Sequence, residues 1–343
     1  MHLTHRPVEH DDLPRCLEII QDVLTLGTID RRILPKLWVD FITRGAMIMS
    51  VVEDLERQAA SRVMGFGSSV FVADRFIQEA KTWRAPDLSG QIIRDELGGK
   101  SPVLNAAAVR AANSGDGLNL FVLHYGWDIG NLEPDQARAV RDELIRAFLN
   151  EHRGYRLKEI LIQRCGDEGV RRVLTGGFVL RRDFADYYQK NGSAAPPPDQ
   201  HPYLAGLTRE EAQMVEGSAI ASLFLYTAPR FRFRQGEQEL LRRALMGETD
   251  EELAVSLAVS PSAIKKRWAS IFERSAAVMP DLLPRAGQPA GAERKRGAEK
   301  RRRLLAYLRH HPEDLRPVYA EPRASKGEEA EKPKQDSPEP AAD

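Results

Sequence analysis

With 343 residues and 42% hydrophobic content, the chain has apolar material for two folded units of ordinary size. A mean hydropathy of −0.43, with no apolar run near the ~18 residues that a membrane helix needs, argues against a membrane span. The opening MHLTHRPVEHDDL lacks the basic-then-apolar order of a secretory leader. The 50 Lys/Arg balance 50 Asp/Glu overall, but Arg230 to His311 carries 18 basic against 10 acidic residues. Part of a neutral chain is therefore suited to a polyanion.

In chain order, LTHRPVE reads as a short strand and DDLPRCLEIIQDVL as a helix opened by an acidic turn with Pro14 near its start. AMIMSVVED and RVMGFGSSVFVAD are strand-like and joined by the polar LERQAAS, which predicts an antiparallel hairpin. The GFG within it, Gly65 to Gly67, reads as a bulge or close backbone approach, not a phosphate cradle. LNLFVLHYG is the next strand. PDQARAVRDELIRAFLNEH is a periodic helix with Ala137, Val140, Leu144, Ala147 and Phe148 on one face. KEILIQ is a strand, DEGVRRVLTGG a short helix ending in glycine, and FVLRRDF the last strand. Cys16 and Cys165 have no spacing suited to zinc and read as free thiols of a reducing cytoplasm.

QKNGSAAPPPDQHP, residues 189 to 202, is aperiodic and rich in Pro, Gly and Ala, as a linker is. The order before it resembles the GNAT acetyltransferases over residues 1–188, with 78–117 as an insertion. The resemblance rests on LTHRPVEHDDLPRCLEI, the pair LNLFVLHYG and KEILIQ, and the closing VLTGGFVLRRDF. It implies a mixed sheet with flanking helices, and acetyl-CoA as the family's cofactor. That family binds the pyrophosphate through a glycine-rich loop at a helix N-terminus. At that place the chain reads WDIGNLEPDQA, with Gly130 alone and with Asp128, Glu133 and Asp135 of the wrong sign. Where the family commonly has a general-acid Tyr, this chain has Val173 or Leu174. His124 and Tyr125 are the polar candidates on the central strand. The expectation is a domain without catalytic residues, without a cofactor (acetyl-CoA disfavoured) and without a metal, used for sensing an effector or contacting a protein. An N-acetyltransferase using acetyl-CoA, with an accessory DNA-binding domain, is the alternative.

After a connecting segment, 204–229, which starts with a Thr208–Glu211 capping box, residues 231–275 divide into three helices. GEQELLRRALMG carries apolar Leu240, Leu241, Ala244 and Leu245 and stops at Gly247. Thr249 caps DEELAVSL in a box with Glu252. Ala258 and Val259 turn the chain, and Ser260 caps a third helix with Pro261 at its first position. There Ile264, Trp268 and Ile271 recur as a buried stripe, with Lys265, Lys266, Ala269, Ser270 and Glu273 off it. This closely resembles the LuxR-type helix-turn-helix. Glu237, Leu240 and Leu241 match its first part, Gly247, Thr249, Asp250, Glu252, Leu253 and Ala254 its second. Leu257, Ser260, Ala263, Ile264 and Lys265 match the rest, and Arg267 takes the family's His position.

The resemblance implies that Lys265, Lys266 and Ala269 face bases in the major groove of double-stranded DNA, while Ser262, Arg267 and Ser270 approach phosphate or the groove rim. It also implies a homodimer on a two-fold operator. Trp268 is expected in the core. ERKRGAEKRRRLLAYLRHHPEDLRP follows as a basic helix with Leu304, Leu305 and Leu308 on one side, and Lys300, Arg301, Arg302 and Arg303 as auxiliary phosphate contacts. The expected fold is thus α+β: a GNAT-like mixed sheet (1–188), a linker (189–203), the connecting segment (204–229), an all-α helix-turn-helix domain (230–284), a basic helical extension (285–319) and a disordered tail (320–343). Function is expected to be cytoplasmic transcriptional regulation, with an adaptor lacking any DNA role as a weaker alternative.

Overall fold

The computed structural model describes residues 1–20, 29–215, 217–284 and 293–318. Residues 285–292 and 319 of the basic extension, the tail 320–343, and residues 21–24 of the helix expected over residues 11–24 lie outside the described residues. Strands β1 (Leu3–Pro7), β2 (Met47–Asp54), β3 (Val63–Val72), β4 (Leu118–Trp127), β5 (Leu157–Cys165), β6 (Val179–Asp183) and β7 (Pro202–Thr208) form one sheet in the order β1-β2-β3-β4-β5-β7-β6. The expected hairpin is β2–β3, with Met47 opposite Val70. All neighbouring pairs are antiparallel except β4–β5, which runs parallel.

Helices flank this mixed sheet, as the acetyltransferase resemblance implies. They are α1 (Leu13–Ile19), α2 (Leu34–Thr43), α3 (Asp74–Thr82), α4 (Leu88–Leu97), α5 (Ala106–Ser114), α6 (Pro134–Glu151), α7 (Asp167–Thr175), α8 (Ala185–Lys190) and α9 (Arg209–Gln213). The segment read as an insertion holds α4 and α5 and most of α3. On α6, Val140 and Ala147 are fully buried, as the periodicity predicts.

Two boundaries change. FVLRRDF is not the last strand: β6 is an edge strand, and β7 fits between it and β5, pairing Ile162 with Ala205 and Val179 with Gly206. Residues expected to end a linker and start a connecting segment therefore complete the sheet. The rest of that segment also belongs to the sheet domain, since a 3-10 turn, Ala219–Phe224, buries Ile220, Leu223 and Phe224 in its core. The Pro-rich residues 195–198 form only the connection between α8 and β7.

The parallel pairing of β4 and β5 runs from Leu118–Leu157 to Val122–Ile162 and then stops. Beyond it β4 continues beside β3 as far as Trp127, while β5 continues beside β7 to Cys165. Leu123 is the extra residue of a bulge opposite Ser68 and Ser69. The two central strands part there, and the gap opens a cleft.

The C-terminal unit comprises α10 (Gln235–Leu245), α11 (Asp250–Ser256), α12 (Pro261–Val278) and α13 (Glu293–His310) around a second core, which includes Leu240, Leu241, Leu253, Ile264, Trp268, Ile271, Leu304 and Leu308. The basic extension is thus part of this unit's core and not an appendage. Residues 312–317 then return to the sheet domain. The Arg316 guanidinium donates to the carbonyls of Arg153 (3.0 Å) and Glu151 and lies over the Tyr155 ring. Asn113 Nδ2 donates to the Pro317 carbonyl at 3.1 Å, and Gln238 Nε2 of α10 to that of Arg316 at 3.0 Å. Arg309 pairs with Glu9 at 2.8 Å, and the His10 amide donates to the Met246 carbonyl. A buried polar clasp joins the two units.

Candidate functional site

The structure presents two sites of different chemistry. The first is the outer face of α12. Ser260 Oγ accepts from the Ala263 amide at 3.2 Å, and Pro261 occupies the first turn, where its missing N–H costs no hydrogen bond. Thr249 and Glu252 close the reciprocal box expected at the start of α11, with the Thr249 amide 2.7 Å from Glu252 Oε2. Ile264, Trp268 and Ile271 are buried on the inner face. Trp268 packs against Phe272, and its Nε1 donates to Asp250 Oδ1 at 3.0 Å, so this ring holds α12 against α11.

The six residues expected at DNA divide into two sets. Ser262, Lys265, Lys266 and Ala269 are exposed and follow the i, i+3, i+4, i+7 spacing of a single stripe. Glu273 is exposed one turn farther on, so the positive part of the stripe is confined to the first two turns. Arg267 and Ser270 are half-buried on the side facing α10. The Arg267 guanidinium lies against Gly236, and Ser270 Oγ donates to Glu237 Oε1 at 2.7 Å. Glu237 is a buried hub: it also accepts from the Arg234 amide at 2.7 Å and pairs with Arg274 at 3.3 Å. Ser270 therefore acts within the unit, which sequence spacing alone did not reveal.

The auxiliary basic residues divide similarly. Arg301 donates to Asp250 Oδ1 (2.7 Å) and the Glu248 carbonyl (2.8 Å), and its guanidinium lies 4.9 Å from the Trp268 ring centroid. It ties α13 to the start of α11. Lys300 lies over Phe272, and Arg302 and Arg303 both pair with Glu299. The four are not a free cationic patch.

The second site is the cleft between the parted strands, about 1210 Å³ and bounded by β3, β4, β5, α6, α7 and the 219–220 turn. Tyr125 and Trp127 of β4, Arg138 and Arg141 of α6, Arg164 of β5 and Arg172 of α7 line it. The start of α6 departs from a phosphate cradle. Glu133 stands at the N-cap with its amide donating to Gln136 Oε1 at 3.1 Å, its carboxylate makes no cap bond, and Asp135 sits in the first turn. Asp128 is held at 2.6 Å by Arg15. Two carboxylates thus stand at the helix start where a pyrophosphate would have to meet the amides.

His124 is no candidate acid or base. It is fully buried, accepts at Nδ1 from Trp38 Nε1 at 3.2 Å, and burial pushes its pKa down to about 3. Tyr203 donates to Asp167 Oδ1 at 2.6 Å, which raises its pKa to about 12. Val173 lines the cleft on α7, where the acetyltransferase resemblance would put a Tyr. Sequence reasoning missed His152, buried in the cleft wall. Its Nδ1 is 2.7 Å from the Phe148 carbonyl, its Nε2 has no partner, and burial lowers its pKa to about 3. In GFG, a Cβ on Gly65 would lie 3.0 Å from Val140 of α6, while Gly67 opens onto the cleft. Close helix approach thus accounts for the first glycine. Cys16 is buried and Cys165 half-buried, and they are not joined in a disulfide. Among the described residues, no helix is long and apolar enough to cross a membrane.

No protein-family model matches the sequence, and no curated protein matches it. Solved structures are similar over the first part of the chain. The C-terminal condensation domain of Ebony, in complex with beta-alanyl-dopamine, is 14% identical with a TM-score of 0.37, covering 61% of this chain and 99% of that one. Arabidopsis thaliana NAA60 in complex with acetyl-CoA is 12% identical with a TM-score of 0.36, covering 60% and 98%. The Vibrio cholerae spermidine/spermine N-acetyltransferase SpeG, with manganese ions, is 12% identical with a TM-score of 0.33, covering 62% and 95%.

Proposed function

We propose that the chain is a DNA-binding transcriptional regulator, in which α12 enters the major groove and the sheet domain senses a ligand in its cleft. The observation that carries this reading is the exposed stripe of Ser262, Lys265, Lys266 and Ala269 on a capped helix, braced by α11 and anchored by Trp268. Such a helix presents its N-terminal side chains to base edges and its cap region to phosphate. A homodimer on a two-fold site belongs to this reading. A gel-shift titration of the full chain against genomic fragments tests it. The expected result is a specific fragment whose affinity falls steeply with salt, and a titration with no preferred fragment overturns the proposal.

A second reading, an N-acetyltransferase using acetyl-CoA, is favoured by one feature: β4 and β5 part after Val122–Ile162 to leave a cleft beside α6. Under it, saturating acetyl-CoA should raise the melting temperature, since a ligand that binds only the folded state stabilises by about 2.7 kcal/mol at a hundred times its Kd. An unchanged melting temperature at millimolar acetyl-CoA removes this reading and leaves the first untouched.

A further inference from the structure

Four side chains in the cleft form one continuous stack. The Arg164 guanidinium lies 4.2 Å from the Tyr125 ring centroid. The Tyr125 and Trp127 rings are 6.3 Å apart with 19° between their planes. Beyond them, the Arg141 guanidinium is 5.6 Å from the Trp127 centroid. The backbone builds this order directly. Tyr125 and Trp127 are two apart on β4 and share a face, Arg164 comes from β5 just past the point of parting, and Arg141 comes from α6. Arg172 is paired with Glu168, and among the described lining residues Asp142 is the sole carboxylate against Arg138, Arg141 and Arg164.

The positive charge therefore lies over aromatic rings in the body of the cleft, while the helix start that would suit a pyrophosphate carries Glu133 and Asp135. A guanidinium stacked on a ring keeps its N–H edge available for a carboxylate. On another wall of the same cleft, the proton of His152 points to the Phe148 carbonyl, which leaves Nε2 as a buried lone pair without a donor. A flat ring, a single anionic group and one N–H or O–H donor are what these features complement.

We propose that the cleft binds a planar aromatic carboxylic acid, with its ring along Tyr125 and Trp127, its carboxylate met by Arg164, and a ring N–H or O–H directed to His152. This rests on the reading of the sheet domain as a ligand sensor and names the class of ligand.

The test is calorimetric titration of the full chain with indole-3-carboxylate, its uncharged carboxamide, its N-methyl derivative and coenzyme A. The expected order is binding of indole-3-carboxylate below about 1 mM, with the carboxamide weaker by at least about tenfold and the N-methyl derivative weaker by about threefold to tenfold. Arg164→Ala should weaken the carboxylate at least about tenfold while leaving the carboxamide nearly unchanged. Arg164→Lys, which keeps the charge and loses the stacked fork, should be intermediate. Melting temperatures identify any variant that fails to fold, and the ligand series on the native chain decides the matter without them. Three results overturn the proposal: no heat from indole-3-carboxylate up to about 5 mM, equal binding of the carboxamide, or tighter binding of coenzyme A. Gel shifts on the same preparation without ligand keep the two readings apart. DNA binding without acid binding rejects the ligand class alone, and the converse rejects the regulator alone.

Discussion

Helices α6 and α12, each of 18 residues, begin in the same way and do opposite things. Each has Pro in its first turn and an extended N-cap residue before it. On α6 the N-cap residue is the acidic Glu133, with Asp135 following, whereas on α12 it is Ser260, whose neutral hydroxyl caps the helix, with no acid in the first turn. Ser260 satisfies an orphan amide of α12, and on α6 Gln136 accepts from the Glu133 amide, so both helices start with a local bond. Only the second leaves the positive end of its dipole open to an outside anion, and Lys265 and Lys266 reinforce it. A start signal thus specifies a helix, while the charge at its N-cap and first turn decides whether that helix can serve as an anion site.

The comparison extends to what each unit buries, and acid should expose this most strongly. The sheet domain encloses His124 and His152, both held neutral by burial with pKa near 3 against an ordinary 6.5. The unfolded chain takes up these protons first, so stability rises with pH between about 3 and 6.5 and is lost as pH falls through that window. The limiting slope is about 1.4 kcal/mol per pH unit for each histidine, or about 2.7 for both. Glu151 acts in the other direction, because burial raises its carboxyl above the usual range and acid partly relieves it. Urea midpoints followed from pH 7 to pH 4 should fall steeply, and His152→Asn should remove close to half of the slope. A flat profile would show that neither ring is buried as described.

Next in size is the clasp. Arg316→Ala removes the donor to two main-chain carbonyls and the contact with Tyr155, in a buried network where such a loss costs about 3 kcal/mol. Two unfolding transitions, one per unit, should replace a single coupled one. The partners of Arg316 lie in the sheet domain and on α10, not on the exposed stripe of α12, so DNA affinity should change by less than about twofold. A single transition with unaltered midpoint would mean that the clasp does not hold the units together.

The DNA face comes third. Lys265→Ala/Lys266→Ala should lower affinity for a specific site about 30-fold to 100-fold, each side chain contributing about 1–1.4 kcal/mol, the low end for a base or phosphate contact. Neither lysine touches the core, so circular dichroism and melting temperature should be unchanged. The matching change on α6, Glu133→Ser, introduces a cap hydroxyl where the carboxylate makes no cap bond, and should leave DNA binding unchanged while shifting stability by no more than about 1 kcal/mol. Unchanged DNA affinity in the lysine pair would remove α12 as the reading helix.

Much of the helical unit was legible because its signals are local. Thr249–Glu252, Ser260–Pro261 and the Ile264–Trp268–Ile271 stripe each specify a cap or a face from residues within two turns. The sheet was legible where alternation or a hairpin made strands adjacent in sequence. β7 was not, because it follows a Pro-rich stretch and inserts between β6 and β5, the latter separated from it in the chain by α7, β6 and α8. Its interior Gly206 also weakens a strand pattern, although that glycine is what lets Leu161 and Arg181 pack against the backbone. Ser270, Arg301 and His152 were illegible for a related reason: Glu237, Asp250 and the cleft reach them through tertiary contacts. Residue type and spacing show which way a side chain points from its own helix, and not what another element brings to meet it.

The smallest effect concerns the turn that aims α12. Ala258, between α11 and α12, has φ +50, in the left-handed region where a Cβ costs about 1–2 kcal/mol. The amides on either side are fixed, Ala258 to the Val255 carbonyl and Val259 to that of Ala254, so the turn cannot relax into ordinary geometry without losing them. Ala258→Gly removes the steric cost but gives the unfolded chain more freedom, worth about 0.4–1 kcal/mol in the other direction. The net expectation is a gain of about 0.5 kcal/mol in chemical denaturation, with DNA affinity unchanged because the helix axis stays in place. Ala258→Val should lose about 1 kcal/mol at the same position, since a branched Cβ fits that region worse. Loop Asp128–Glu133, which leads into α6, has no left-handed residue. If Ala258→Gly is destabilising instead, the turn does not impose that conformation, and the difference between the two helix entries reduces to the charge of their caps.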